Sequence, residues 1–239
     1  MHVHSTLSHD GTLTIPELAA WFRPRGYQFV AIGEHSQDMD AAKIAILKKQ
    51  CAENSDAQFC MIPGIEFSCQ GGLHIFGVGA TELTAHIDPV KVAEAIRAQG
   101  GFVILAHPNS NGLHPSREAI LAVDAVEIWN LAYDGKFLPS PRSLTGFYRS
   151  RSLKSDLLAV AGHDFHRKVG FYDASINMGV PSLSPGAILQ NLHEGRYSID
   201  SRLFRTSPRA AITRLKLAWW LFLSWPINQI RKVKDLLVG

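Results

Sequence analysis

Phe102-Val103-Ile104-Leu105-Ala106-His107-Pro108 is an apolar run that ends on a histidine and a proline. A short, continuous apolar run is what a strand buried on both faces looks like, as in a parallel sheet. The same form recurs on either side of it. Phe29-Val30-Ala31-Ile32-Gly33 delivers Glu34 and His35, and Cys60-Met61-Ile62 leads through Pro63-Gly64-Ile65 to Glu66. Leu157-Leu158-Ala159-Val160-Ala161-Gly162 delivers His163, Asp164 and His166. His74-Ile75-Phe76-Gly77-Val78-Gly79 begins with its histidine, and Ala125-Val126-Glu127-Ile128-Trp129-Asn130 carries an acid and an amide. At the start of the chain, His2-Val3-His4 puts two imidazoles on one side of an extended segment, because alternate strand residues point the same way. His9, Asp10 and Gly11 follow in a turn-like stretch.

Helical signals lie between these runs. Thr14-Ile15-Pro16-Glu17 has the form of a capping box with proline in the first turn, ahead of Leu18, Trp21 and Phe22. Pro24 and Gly26 end that helix. Further helices are expected over residues 40–52, from Asp88-Pro89 to Gln99, over 117–123, over Leu144 to Lys154, and from Ser184-Pro185 to Gly195, with a loop over 134–141. About seven strands with helices between most of them predict a parallel, closed α/β barrel. Such barrels carry their functional residues at the C-terminal strand ends. His35, Glu66, His107, Asp164 and His166 all fall there.

The chain has 239 residues, 46% of them apolar and 19% charged, with a net charge of +3. That composition excludes wholesale disorder, and the small net charge does not argue for nucleic acid. One barrel domain is expected over residues 1–200, with a basic, tryptophan-rich helical extension over 201–239. Cys51, Cys60 and Cys69 form no C-x-x-C pair, which fits reduced thiols, and the chain opens on histidines rather than on a signal peptide. Both features predict a cytoplasmic protein.

The eleven histidines are the compositional oddity. The candidate metal ligands are His2, His4, Asp10, His35, Glu66, His74, His107, Asp164 and His166. Imidazole with carboxylate suits zinc, manganese or iron. Nine ligands exceed the needs of one ion and predict two or three, with a carboxylate bridging a pair. Clustered ions of this kind clamp the attacking and leaving oxygens of a phosphoryl displacement and supply hydroxide at neutral pH. Several cations among few carboxylates favour an anionic substrate.

Five segments together resemble the PHP family, named for its polymerase and histidinol-phosphatase members: His2-Val3-His4 with a nearby acid and glycine, Ala31-Ile32-Gly33-Glu34-His35, Pro63-Gly64-Ile65-Glu66, Leu105-Ala106-His107-Pro108, and Gly162-His163-Asp164-Phe165-His166. The resemblance spans residues 1 to about 195. It implies a distorted seven-stranded barrel with a trinuclear site that hydrolyses phosphate esters, with Asp164, His107 and Glu66 carrying catalysis. Carried over by motif, one ion would take His2, His4, Glu66 and Asp164. A second would share Glu66 and add His74 and His107, and a third would take Asp10, His35 and His166. The chain departs from the family pattern in having Glu34 where an aspartate is usual and His163 where a small residue is common. The usual position of the first acid also leaves His9 in competition with Asp10.

Glu127 and Asn130 are expected to support the ligands rather than bind metal. His86, His114 and His193 read as surface residues. Arg167 and Lys168 follow the last ligand and are candidates to hold a substrate phosphate. In the extension, basic residues flank Leu217-Ala218-Trp219-Trp220-Leu221-Phe222-Leu223-Ser224-Trp225-Pro226-Ile227. This run is too short for a membrane span, which needs about 20 residues. It fits an interfacial helix at a membrane, a helix packed on the barrel or on a second subunit, or an aid to nucleic-acid binding. Packing is the favoured reading.

The leading expectation is therefore hydrolysis of small phosphomonoesters or nucleotides by a metal-bound hydroxide. A nuclease acting on short oligonucleotides is its close variant. The alternatives are a non-catalytic metal-binding regulatory module whose extension engages a membrane or partner, and hydrolysis of a carbon–nitrogen bond by the same kind of centre.

Overall fold

Helix starts follow their caps. The computed structural model describes residues 1–108, 110, 114–134, 138–168, 174–203, 205–209 and 222. Thr14 caps α1 (Ile15–Phe22) in a complete capping box with Glu17, and Asp40 and Asp88 cap α2 (Ala41–Glu53) and α3 (Pro89–Ala98). Ser116, Ser140 and Ser184 cap α4 (Arg117–Ala122), α5 (Pro141–Leu153) and α6 (Pro185–Glu194). Each cap oxygen accepts a first-turn N–H that would otherwise lack a partner. Proline opens several of these helices because no intrahelical bond is lost there. Helix α5 starts at Pro141, earlier than the apolar pattern predicts, because Ser140 rather than a hydrophobic residue sets its start.

The strands are β1 (Phe29–Ala31), β2 (Glu34–His35), β3 (Cys60–Ile62), β4 (Gly64–Ser68), β5 (His74–Val78), β6 (Phe102–Ala106), β7 (Ala125–Asn130) and β8 (Leu158–Gly162). Three shorter strands follow: β9 (Ser175–Asn177), β10 (Ser198–Asp200) and β11 (Arg205–Thr206). The main sheet runs in the order β2-β4-β5-β6-β7-β8, and β1 pairs separately with β3. Pairs β1–β3, β2–β4, β6–β7 and β7–β8 are parallel. Val3 makes single parallel bridges to Ile32 and to Phe165, so the His2-Val3-His4 segment lies between the first and last strands of the main fold.

The expectation of an all-parallel arrangement fails at β5, which is antiparallel to both β4 and β6. The cause is local. Only residues 69–73 join β4 to β5, closed by a bond from Cys69 N–H to the Leu73 carbonyl at 2.7 Å. Gly71 and Gly72 take φ of 77° and 76° in that turn. A parallel connection needs a crossover of a dozen or more residues, whereas a short turn returns the chain antiparallel. The reversal carries a functional consequence. His74, the first residue of β5, pairs with Ser68 at the end of β4 and with Ala106 at the end of β6. A histidine at the start of its strand thereby reaches the face where the other strands end.

Two apolar clusters hold these elements. The larger packs the β3–β8 side chains against α3, α4, α5 and α6. The smaller places Ile15, Leu18, Ala19 and Phe22 of α1 against Val3, Val30, Ile32, Met61 and Phe165. That α1 set has the i, i+3, i+4, i+7 spacing of one helix face. Strands β9, β10 and β11 form a small antiparallel sheet that the sequence pattern does not announce. Through β11, and through a bond from Ala159 N–H to the Pro208 carbonyl, the chain stays attached to the fold as far as Arg209. The apolar run of the extension, apart from Phe222, lies outside the described residues, as does part of the expected 134–141 loop. Among the described residues no helix is long and apolar enough to cross a membrane.

Candidate metal centre

Each candidate ligand sits where an element ends. The His2 to His4 segment is tied down by bonds from His4 N–H to the Phe165 carbonyl (2.9 Å) and from Gly33 N–H to the Val3 carbonyl (2.8 Å). His35 closes β2, Glu66 lies beside it on β4, and His74 opens β5. His107 follows β6, and Asp164 and His166 follow β8. Among the described residues, positive φ outside glycine occurs only at His2 (62°), His107 (28°) and Asp164 (48°). Such backbone is costly for residues with a Cβ and concentrates at functional sites.

Glu66 is the hub. Its Oε1 lies 3.4 Å from His2 Nε2, 3.0 Å from His74 Nδ1 and 3.0 Å from His107 Nε2. Its Oε2 lies 3.1 Å from His35 Nδ1 and 3.6 Å from His4 Nε2. Asp164 Oδ1 sits 3.4 Å from His4 Nε2, and 3.7 Å from both His2 Nε2 and His166 Nδ1. Asp10 Oδ2 is 3.3 Å from His35 Nε2 and 3.1 Å from His166 Nε2.

Several of these separations are long for hydrogen bonds, whose donors and acceptors lie about 2.7–3.2 Å apart. They suit a shared ion, because two tetrahedral ligands at about 2.1 Å from a metal stand about 3.4 Å from each other. The buried atoms His2 Nε2, His4 Nε2, His35 Nδ1, Glu66 Oε2 and His166 Nε2 have no hydrogen-bond partner. Buried polar atoms are rarely left so, and ions shared among them would satisfy them. Three groups of donors, each with its atoms within 4.8 Å of one another, could hold an ion: His4, Asp10, His35 and His166; His2, His4 and Asp164; and His2, Glu66 and His107.

The electrostatics are those of charge forced into a buried site. Burial works to deprotonate His2, but the carboxylates of Glu66, Glu127 and Asp164 outweigh it and hold its pKa well above the usual imidazole value. His35 and His107 are raised in the same way, against burial, chiefly by Glu66. At His4 burial wins over Asp164 and lowers the pKa to about 4. Burial opposes ionisation of Glu66 and Asp164, yet the surrounding imidazoles depress both. Ligation would exchange protons on these imidazoles for metal charge.

A supporting layer orients the donors. Glu127 accepts from His2 Nδ1 (3.0 Å), from the His107 backbone N–H (2.9 Å) and from Asn130 Nδ2 (2.9 Å). Asn130 also reaches Asp164 Oδ2 at 3.3 Å, and its own oxygen accepts the N–H groups of Ala132 and Tyr133. The two residues therefore sit in the supporting positions that the sequence suggests. The buried Glu34 carboxylate accepts from Ser5 N–H and Ser8 Oγ, and Ser8 Oγ accepts from His35 N–H. Glu34 thus ties the loop that precedes Asp10 to the strand that ends at His35. In the sequence it stands out only as a departure from a motif.

Of the competing pair, Asp10 faces His35 and His166, whereas His9 is exposed and bonds Asp38 at 2.7 Å. His163 packs by Phe22 and Tyr27 and donates from Nε2 to the Ala174 carbonyl. Arg167 and Lys168 are exposed, and the Lys168 ammonium lies over the Trp21 ring at 5.2 Å. His86, His114 and His193 are on the surface. Sequence reasoning passed over Tyr133, whose ring stands 5.1 Å from that of His107. Its position just beyond a strand that ends in Asn130 was the available signal.

No protein-family model and no curated protein matches the sequence. Solved structures do resemble it. A two-domain protein of Bacteroides vulgatus containing a predicted PHP-like metal-dependent phosphoesterase aligns with a TM-score of 0.61 at 15% identity, over 84% of this chain and 63% of that one. A protein of Bifidobacterium adolescentis, provisionally named a metal-dependent phosphoesterase, aligns at 0.51 and 17% identity, over 70% and 87%. An amidohydrolase of Chromobacterium violaceum, with bound sulfate and no metal, aligns at 0.51 and 16%, over 69% and 86%. The likeness establishes a PHP-like α/β fold. The chain spans under two thirds of the length of the two-domain protein.

Proposed function

We propose that this protein is a metal-dependent phosphoesterase acting on small phosphomonoesters, nucleotides included. The observation that carries the reading is Glu66, a buried carboxylate whose two oxygens lie among five imidazoles, several at separations that suit a shared ion better than a hydrogen bond. In this reading His2, His4, Glu66 and Asp164 hold one ion. Glu66, His74 and His107 hold a second, and Asp10, His35 and His166 a third. The two bridges of Val3 are the seam of a distorted barrel.

Bound there, divalent ions supply Lewis acidity and an activated water at neutral pH. The protein's own part is placement. Glu127 accepts a hydrogen bond from His2 Nδ1–H and leaves Nε2 facing Glu66 and Asp164. Asn130 holds Asp164 by its second oxygen. Glu34 and Ser8 set the distance between the Asp10 loop and His35. The positive-φ backbone at His2, His107 and Asp164 aims three ligands inward before any ligand binds, which favours preorganised catalysis.

Phosphate release from phosphomonoesters, mononucleotides, bisphosphorylated nucleotides and short oligonucleotides tests the reading, with protein loaded separately with manganese, zinc or iron. Release from one class that disappears in Asp164→Ala is the expected result. Metal-loaded protein that releases phosphate from none of them would refute it. The amidohydrolase among the structural neighbours makes hydrolysis of a carbon–nitrogen bond the second reading, and an amide panel run beside the first separates the two.

A further inference from the structure

Among the described residues no lysine or arginine enters the ion pairs of the metal centre, and the cationic partners of Glu66, Asp164 and Asp10 there are histidines. A phosphoryl group brought to such a centre needs hydrogen-bond donors from elsewhere, because the imidazole nitrogens that face inward are taken up as ligands. Tyr133 stands in the right place to be one. It is 51% exposed, yet its ring lies 5.1 Å from that of His107, at an interplanar angle of 45°.

Its backbone is not free to drift. The N–H groups of Ala132 and Tyr133 are held by Asn130 Oδ1, and Asn130 itself bonds Glu127 and Asp164. Asp134 Oδ2 accepts from Asn130 N–H at 2.8 Å, and Ser143 Oγ donates to Asp134 Oδ1 at 2.6 Å, which closes the turn from its far side. The same side chains that orient the ligands therefore hold this tyrosine. Among the described residues its hydroxyl has no hydrogen-bond partner. Loops carry binding residues, and such residues act best when their surroundings hold them in place, as these bonds hold Tyr133.

We propose that Tyr133 is a substrate-contacting residue: its hydroxyl donates a hydrogen bond to a phosphoryl oxygen of a phosphate group held at the metal centre. A phenol is protonated at neutral pH and serves as a donor without repelling the ester, as a carboxylate at the same place would. This inference rests on the phosphoesterase reading and assigns its substrate contact.

The test uses manganese-loaded full-length protein and inorganic phosphate, the product, as the probe. Tyr133→Phe keeps the ring beside His107 and removes only the hydroxyl. Expected are unchanged metal content, phosphate affinity lower by about tenfold to a hundredfold in calorimetric titration, and a comparable fall in kcat/KM for the ester that the wild type hydrolyses. Metal content and phosphate affinity both within twofold of wild type would overturn the assignment while leaving the phosphoesterase reading intact. A loss of metal in Tyr133→Phe would also overturn it, since the residue would then act through His107. Wild-type protein that holds its metals and neither binds phosphate nor hydrolyses an ester would overturn both.

Discussion

Gly162→Ala tests the support beneath the metal centre with the smallest change available. A Cβ at this position would lie 1.8 Å from Glu127 Oε1, 2.7 Å from Glu127 Cδ and 3.1 Å from His2 Cβ. To reach an ordinary contact of about 3.4 Å the oxygen must retreat by about 1.6 Å, which breaks its 3.0 Å bond to His2 Nδ1. The other oxygen of the same carboxylate holds His107 N–H and Asn130 Nδ2, so those bonds are strained together. Overpacking costs about 1–3 kcal/mol, and each buried donor left unpaired costs about 1–3 kcal/mol more. A net loss of roughly 3 kcal/mol lowers the Tm of a chain this size by about 6–12 °C. The freed His2 ring loses its set tautomer, and metal affinity falls by about 10–100-fold, or roughly 1.4–2.8 kcal/mol. Calorimetry of the metal-free protein reads the first effect, and titration against a competing chelator reads the second. A variant with wild-type Tm and wild-type affinity would show that Glu127 neither fills this space nor orients His2. Glu127→Gln, which keeps the shape and removes the charge, should lose affinity with a smaller change in Tm.

Asp10→Ala should weaken one bound ion by at least about tenfold in metal analysis, while His9→Ala leaves the metal content unchanged, because His9 is engaged by Asp38. The buried thiols of Cys51 and Cys69 are pushed up to about 12 and that of Cys60 to about 11, by burial above all. The folded protein therefore holds these protons while the unfolded chain releases them above roughly pH 8.5. That part of the stability is fully present below this pH and is lost as pH rises toward 11–12; denaturant titrations across pH 7.5–10 should show the decline, and iodoacetamide should label the thiols slowly until the protein unfolds. Thr14→Ala removes the capping box of α1, should cost about 1 kcal/mol by thermal melting, and should leave metal binding untouched, since α1 contributes packing and no ligand.

Much of the centre was legible because it is built from strand ends. Phe102–Ala106 followed by His107, and Leu157–Gly162 followed by Asp164 and His166, announce themselves by apolar runs that stop at polar residues. The caps Thr14, Asp40, Asp88 and Ser184 are local hydrogen-bond chemistry and mark their helices without tertiary help. Glu34 was harder to read, because a buried carboxylate and an exposed one look alike in a sequence. Its role depends on Ser5 and Ser8, which come close to it only in the folded chain. The β9–β11 sheet lacks both an apolar run and a hairpin signal, since β9 and β10 are separated by a helix.

The sequence by itself determined which residues supply imidazole and carboxylate, the strands and helices that carry most of them, and the end of the fold where they gather, because apolar periodicity and capping act over a few residues. Tertiary structure decided what those spans cannot encode. It turned β5 antiparallel and so brought His74 beside Glu66, and it set Asp10 against His35 and His166 while His9 turned to Asp38. It also aimed five imidazoles at one carboxylate and set Glu127, Asn130 and Tyr133 around them. Those outcomes depend on which strand lies beside which and on the direction each side chain takes there, and both are set by contacts between residues far apart in the chain, such as His2 and Asp164.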